Sequence, residues 1–143
     1  MQTVKDIMTR KIYTARMNDT LEEIEVLMKD KGIRHMFVTD NDLLVGIVSD
    51  ADIKRRKSFW AGTDFSTNRE EYTLNLKAHQ MMTRKIIKIS PDTTLVEALD
   101  YIIDNNIHCL PVTEGESHLC GVITDTDLLK TFRTHLEWQQ LKK

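Results

Sequence analysis

A chain of 143 residues is long enough for one ordinary domain or two very small ones, and 41% hydrophobic with 29% charged residues is the balance of a soluble globular protein with a real core. A formal charge of −2 and a pI near 6.2 argue against a dedicated nucleic-acid binder, which carries a basic excess. No apolar run approaches the ~18 residues of a membrane span, and Met1 to Asp6 lacks the apolar core of a signal peptide, so the expected location is the cytoplasm with no membrane partner.

The first recognisable phrase is Met8-Thr9-Arg10-Lys11-Ile12. It returns letter for letter as Met82-Thr83-Arg84-Lys85-Ile86, 74 residues on. The β-branched and apolar residues from Ile12 to Ala15 read as a short strand, as do Ile86 to Ile89 in the second copy. Helices follow. Thr20-x-x-Glu23 and Thr94-x-x-Glu97 both have the spacing of a capping box, in which Thr and Glu reciprocally satisfy N–H groups that the helix start leaves unpaired. Leu21, Ile24, Leu27 and Met28 recur at helical spacing, as do Leu95, Ala98, Leu99, Ile102 and Ile103. Gly32 and Asn106 stand at matching helix ends, and both residue types accept a left-handed C-cap.

Next come paired strands. Met36-Phe37-Val38 and Leu43 to Val48 flank the turn Asp40-Asn41-Asp42. Leu110-Pro111-Val112 and Leu119 to Ile123 flank Glu114-Gly115-Glu116-Ser117, which is one residue longer. Such short turns imply antiparallel hairpins. Each hairpin runs into a helix through a duplicated junction: Gly46-Ile47-Val48-Ser49-Asp50-Ala51-Asp52 and Gly121-Val122-Ile123-Thr124-Asp125-Thr126-Asp127. The chain is therefore read as α/β (α+β), two β-α-β-β-α repeats. Repeat 1 covers residues 1–57, an inter-repeat segment 58–77, and repeat 2 with a C-terminal helix 78–143. One such unit alone buries little surface, so two packed units are expected.

Within the inter-repeat segment, Trp60 to Asp64 reads as loop and Arg69 to His79 as a candidate helix with too few apolar residues to fix it. Lys54-Arg55-Arg56-Lys57 is the densest charge run. It suits either a solvated helix end, where cations meet the dipole, or a phosphate or partner patch. Leu128, Leu129, Phe132 and Leu136 form a stripe on the last helix, for core packing or self-association. Cys109 and Cys120 read as buried thiols, and the five histidines show no metal-ligand spacing. No nucleophile–base pair, metal cluster or Walker-type loop is visible, so no catalytic residue and no metal ligand is assigned and the protein is read as no enzyme.

These features, in this order and twice over, resemble a tandem pair of CBS (cystathionine-β-synthase) domains. The features are two Met-Thr-x-x-Ile openings, two capped helices, a Leu-Pro-Val strand and two Gly-x-x-Ser/Thr-x-x-Asp junctions. The resemblance covers Val4 to Phe132 and is nearest to small stand-alone bacterial or archaeal CBS proteins of the acetoin-utilisation kind, with no catalytic or transport domain attached. It implies repeats packed about a pseudo-two-fold axis, two clefts that bind adenine nucleotides or adenosyl compounds (AMP, ADP or ATP), a homodimer, and a regulatory signal to an unknown protein partner.

By position, the resemblance places Asp52 and Asp127 on ribose hydroxyls, which suits a carboxylate that accepts from two donors. Ser49 and Thr124 would meet phosphate or ribose beside N–H groups of the following helix. Helix capping alone also accounts for all four residues. Arg34 and His108 stand at matching places and would reach phosphate, Arg34 as a permanent fork and His108 when protonated. Ile12, Tyr13, Ile86 and Ile87 match the adenine-facing segment, with core burial as the alternative. Phe37 stands where the family carries the proline that repeat 2 keeps as Pro111, so the two sites are expected to be unequal. The competing function is a structural dimerisation module that needs no ligand.

Overall fold

The structure, a computed structural model, describes residues 2–58 and 66–142; the expected Trp60–Asp64 loop lies outside them. The fold is mixed α and β, as expected, and the chain divides into two compact units whose bounds do not follow the sequence repeats. One, here the repeat-1 unit, is Tyr13–Ile86; the other, the repeat-2 unit, joins Met1–Ile12 to Ile87–Lys143.

In the repeat-1 unit, β1 (Thr14–Arg16) runs parallel to β2 (His35–Asp40), and β2 is antiparallel to β3 (Leu43–Ser49). Asn41 and Asp42 both take positive φ, 52° and 66°, the geometry that a two-residue hairpin needs for its turn to match strand twist. Between β1 and β2 lies α2 (Leu21–Lys31), whose Leu21, Ile24 and Met28 bury against Met36, Val38 and Val48. Each fully buried aliphatic side chain of this kind stabilises by roughly 1.5–3 kcal/mol. Gly32 ends α2 in the left-handed region at φ 65°. The Thr20 hydroxyl accepts from the Glu23 N–H at 3.2 Å, so only half of the expected capping box forms here. After β3, α3 (Asp50–Ser58) buries Ile53.

The candidate helix Arg69–His79 is two pieces. The first, α4, is Ser66–Leu74, and the second, α5, is Ala78–Met81. The Asn75 side chain bonds back to the Glu71 carbonyl at 2.9 Å, and the Lys77 N–H donates to the Gln80 side chain at 2.9 Å, so a cap interrupts the helix.

The repeat-2 unit repeats the plan. A capped α6 (Leu95–Asn105) ends on Asn106 at φ 51°, and its capping box is complete: Glu97 N–H to Thr94 Oγ1 and Thr94 N–H to Glu97 Oε2, both 3.2 Å. β4 (Cys109–Glu114) and β5 (His118–Thr124) form the hairpin, with a register irregularity at Val112/Thr113 that matches Val38/Thr39 in the other unit. The strand expected at Ile86–Ile89 reduces to a single parallel bridge, Ile89 with Val112. The last helix, α7 (Asp125–Leu141), buries Leu128.

The identical five-residue phrases explain the unit boundaries. A short helix, α1 (Val4–Ile7), precedes Met8, and its N-terminus hangs on the turn before α6, Val4 N–H to Thr93 O at 2.8 Å. Thr9 then pairs with Val122 through two bonds of 2.9 and 3.0 Å. In the other unit, Ala78 N–H bonds to Asp19 O at 2.8 Å and Thr83 pairs with Ile47 through bonds of 2.9 and 3.0 Å. Each opening segment thus completes the unit of the other repeat. At both places a methionine lies over a glycine: a Cβ on Gly46 would fall within 3 Å of Met82, and one on Gly121 would meet the Met8 sulfur. Only glycine admits these buried thioethers. No helix among the described residues is long and apolar enough to cross a membrane.

Candidate functional site

The two strand-to-helix junctions are built alike. At the first, Asp52 N–H donates to Ser49 Oγ at 3.1 Å, and Ser49 N–H donates to Asp52 Oδ2 at 3.4 Å. At the second, the corresponding distances are 3.2 Å to Thr124 Oγ1 and 3.0 Å to Asp127 Oδ2. Both are reciprocal caps, in which hydroxyl and carboxylate each satisfy a helix-start N–H. The carboxylates are half-buried. Each uses Oδ2 for the cap, which turns Oδ1 to other duty.

That duty differs. Asp52 Oδ1 is bonded to Arg55, one turn along α3. Asp127 Oδ1 has no partner among the described residues; the position matching Arg55 is Lys130, for which no ion pair is formed among them. Thr131, the match of Arg56, turns its hydroxyl to the Asp127 carbonyl at 3.0 Å.

Arg34 and His108 come to the same place in each unit through their backbones. Arg34 O accepts from Asp50 N–H at 2.9 Å and His108 O from Asp125 N–H at 3.0 Å, next to the register pairs His35–Ser49 and Cys109–Thr124. Their side chains then diverge. Arg34 is exposed and makes no ion pair among the described residues, whereas His108 Nδ1 lies 3.0 Å from Asp125 Oδ2. Tyr13 packs on the core of the repeat-1 unit, and its ring lies 5.1 Å from the Lys31 ammonium. Ile87 packs on the core of the repeat-2 unit. Ile12 and Ile86 are half-buried, and each is the last residue of an opening segment, so Ile12 and Tyr13 fall in different units, as do Ile86 and Ile87.

The repeat-1 unit also holds an open cleft of about 760 Å³, lined among others by Asp52, Arg55, Arg56, Tyr72, Met82 and Thr83. Of the residues that the family resemblance assigned to ligand contact, only Asp52 borders it, and it is joined there by Arg55 and Arg56 of the basic run that the sequence offered as a solvated helix end or a phosphate patch. Arg55 was legible as a helical neighbour three residues from Asp52; Tyr72 and Thr83 carried no signal, since only the fold brings them to α3.

Burial pushes the Cys109 thiol up to about 12, with a smaller push from the Asp125 carboxylate, and it raises Cys120 as well. Both cysteines are free thiols. Among the described residues, no three of His, Cys, Asp and Glu cluster as a metal site.

The CBS domain family matches this chain twice, over residues 4–58 and 78–134, and the chain belongs to that family as a tandem pair. Protein MJ1225 of Methanocaldococcus jannaschii is 28% identical over 132 residues, which is 92% of this chain but 47% of that protein's own length. Its crystal structure superposes with a TM-score of 0.80. AcuB of Vibrio cholerae, named for acetoin utilization, is 29% identical with a TM-score of 0.80, covering 100% of this chain and 98% of that one. The CBS pair of protein MJ0100, solved with 5′-methylthioadenosine and S-adenosyl-L-methionine, shares the fold at 23% identity and a TM-score of 0.76, with 94% of this chain and 98% of that one covered.

Proposed function

We propose that this CBS pair is a regulatory module that binds an adenosyl ligand, AMP, ADP, ATP or a relative, at its Ser/Thr–Asp junctions and passes the change in state to a partner protein. The observation that carries this reading is the Thr124–Asp127 cap. Its hydroxyl and one carboxylate oxygen are used, and the other oxygen is left half-buried beside helix-start N–H groups. Such an arrangement suits a ligand that brings vicinal hydroxyls for the carboxylate and an anionic group for the N–H groups. Ile87 at Asp127 and Tyr13 at Asp52 would supply apolar surface for the base, and Arg34 and His108 would supply cations. The adenosyl compounds bound by MJ0100 set the panel for a test.

Thermal unfolding of the whole chain with AMP, ADP, ATP, S-adenosylmethionine and 5′-methylthioadenosine tests the reading. A ligand at 100 times its Kd stabilises by about 2.7 kcal/mol. The expected result is a rise in Tm with at least one compound that Asp127→Ala abolishes; no rise with any of them at millimolar concentration refutes it.

Self-association belongs to the same proposal. In the repeat-1 unit, Lys57 of α3 pairs with Glu25 of α2 at 2.9 Å; the matching residues of the repeat-2 unit are Phe132 and Leu99. Val96, Ile103 and Leu129 extend that face, and all three are at least 65% exposed. With Leu136, these side chains of α6 and α7 form one exposed apolar face, of the kind that marks an interaction surface. A second copy of the same face is the occupant that matches it, since the charged repeat-1 face does not. This also gives the ligand-independent alternative a concrete form: a dimer whose junctions are caps only.

A further inference from the structure

The cleft of the repeat-1 unit is bordered on one side by α4, from the inter-repeat segment that has no counterpart in the repeat-2 unit. Its floor is α3 with Asp52, Arg55 and Arg56, and its walls are α4, with Tyr72, and the segment through Met82 and Thr83. In the repeat-2 unit, α7 instead continues unbroken to Leu141, and the residues matching Arg55 and Arg56 are Lys130 and Thr131.

The electrostatics of the cleft are lopsided. Two guanidinium groups face one carboxylate, and that carboxylate is already engaged by the Ser49 N–H and by Arg55. Arg56 has no carboxylate partner among the described residues. Successive residues on a helix point about 100° apart, so Arg55 and Arg56 do not converge on one small anion as an i, i+4 pair would. An anion whose charge is spread along a chain fits both. Phosphate oxygens suit guanidinium forks, Asp52 repels an anion less while Arg55 neutralises it, and the 64% exposed Tyr72 offers an aromatic face. A volume of about 760 Å³ is in the range of small-molecule sites.

We propose that this cleft is a phosphate-chain subsite, so that the repeat-1 unit selects ligands with two or more linked phosphoryl groups while the repeat-2 unit does not. Within the adenosyl reading above, on which this extension rests, the favoured occupant is a nucleoside di- or triphosphate with Arg56 on its distal phosphates.

Isothermal titration of the full chain, without divalent metal, tests it with AMP, ADP, ATP and, as a nucleoside-free probe, inorganic tripolyphosphate. The wild-type protein is expected to bind ATP and tripolyphosphate, with ATP favoured over AMP about tenfold or more, as one added charge-assisted fork allows. Arg56→Ala removes that preference and the tripolyphosphate binding, and leaves AMP within about twofold; Arg56 is exposed, and an unchanged melting curve confirms that the variant is folded. Tripolyphosphate binding that depends on Arg56, with no nucleotide bound, supports the subsite and refutes the adenosyl reading. Adenosyl compounds that bind with no phosphate preference and no loss in Arg56→Ala leave that reading standing and overturn the subsite, as does a wild-type protein that ignores tripolyphosphate.

Discussion

Gly46→Ala tests the exchange of opening segments directly. The added Cβ would sit 2.9 Å from Met82 Cβ and closer still to its Cγ and sulfur. The near end of a side chain cannot swing aside without moving its backbone, and that backbone is pinned by the paired bonds between Thr83 and Ile47. Overpacking of this kind costs about 1–3 kcal/mol, and the upper half of that range applies here. Gly121→Ala is the internal control. There the nearest atom is the Met8 sulfur, the Cγ lies at 3.0 Å and the Cε at 3.3 Å, so the flexible end of the methionine takes up most of the strain. Its cost is expected near 1 kcal/mol. Urea unfolding should therefore give a midpoint loss for Gly46→Ala about twice that for Gly121→Ala. In Gly46→Ala/Met82→Ala the clashes with the Met82 Cγ and sulfur are gone and only the 2.9 Å contact between the two Cβ atoms remains, so the two changes should still couple favourably, by about 1 kcal/mol. Equal losses for the two glycines, or strictly additive effects of Gly46→Ala and Met82→Ala, would refute the claim that Met82 lies over Gly46.

Three further outcomes follow from the same geometry. Asp52→Ala and Asp127→Ala should each cost about 1 kcal/mol in urea unfolding as lost caps, while their effects on ligand-induced Tm shifts far exceed that, which separates capping from binding. Cys109 titrates near 12 in the folded chain and near 9 when unfolded, so the unfolded chain binds fewer protons between those values. Stability is thus fully present below pH 9 and falls by at most about 1.4 kcal/mol per pH unit above it, a slope that Cys109→Ala should reduce in unfolding curves at pH 8 to 11. Leu129→Glu with Ile103→Glu should leave the monomer folded and convert a dimer to a monomer in light scattering; a dimer unaffected by both charges would place the interface elsewhere.

Much of the fold was legible because its signals are local. Thr94 and Glu97 are three residues apart, Asn106 tolerates φ 51° where Gly32 takes 65°, and a turn of two residues leaves its strands no choice but to pair antiparallel. The junction caps were legible for the same reason. What escaped is non-local. Two identical Met-Thr-Arg-Lys-Ile phrases cannot reveal that each serves the unit of the other repeat, since identical letters carry no address. The strand expected at Ile86–Ile89 shrank to one bridge because β propensity needs a partner along its whole length, and only Ile89 has one. The basic run with Arg56 reads as either a solvated helix end or a phosphate patch, and the sequence could not show that Arg56 borders a cleft with Tyr72 of α4.

The duplication makes the difference between the junctions easier to interpret than either junction alone. Both keep a hydroxyl and an aspartate in the same cap, so the backbone they hold is the same. What varies is the third partner. Arg55 takes the free oxygen of Asp52, and a ribose at that site must share the carboxylate with a guanidinium or displace it. Asp127 offers its oxygen outright. On the adenosyl reading, an uncharged compound would therefore lose less at Asp127, where no ion pair has to be broken. A phosphate-bearing one would recover the loss at Asp52 if, as proposed, Arg55 and Arg56 gain an anion in exchange. On the proposed reading, the chain would carry two sites of one design whose order of preference reverses with the ligand's charge. A titration that shows two sites changing rank between 5′-methylthioadenosine and ATP would be the signature of that arrangement, whereas one rank order for both ligands would mean that Arg55 has no say in which site fills first.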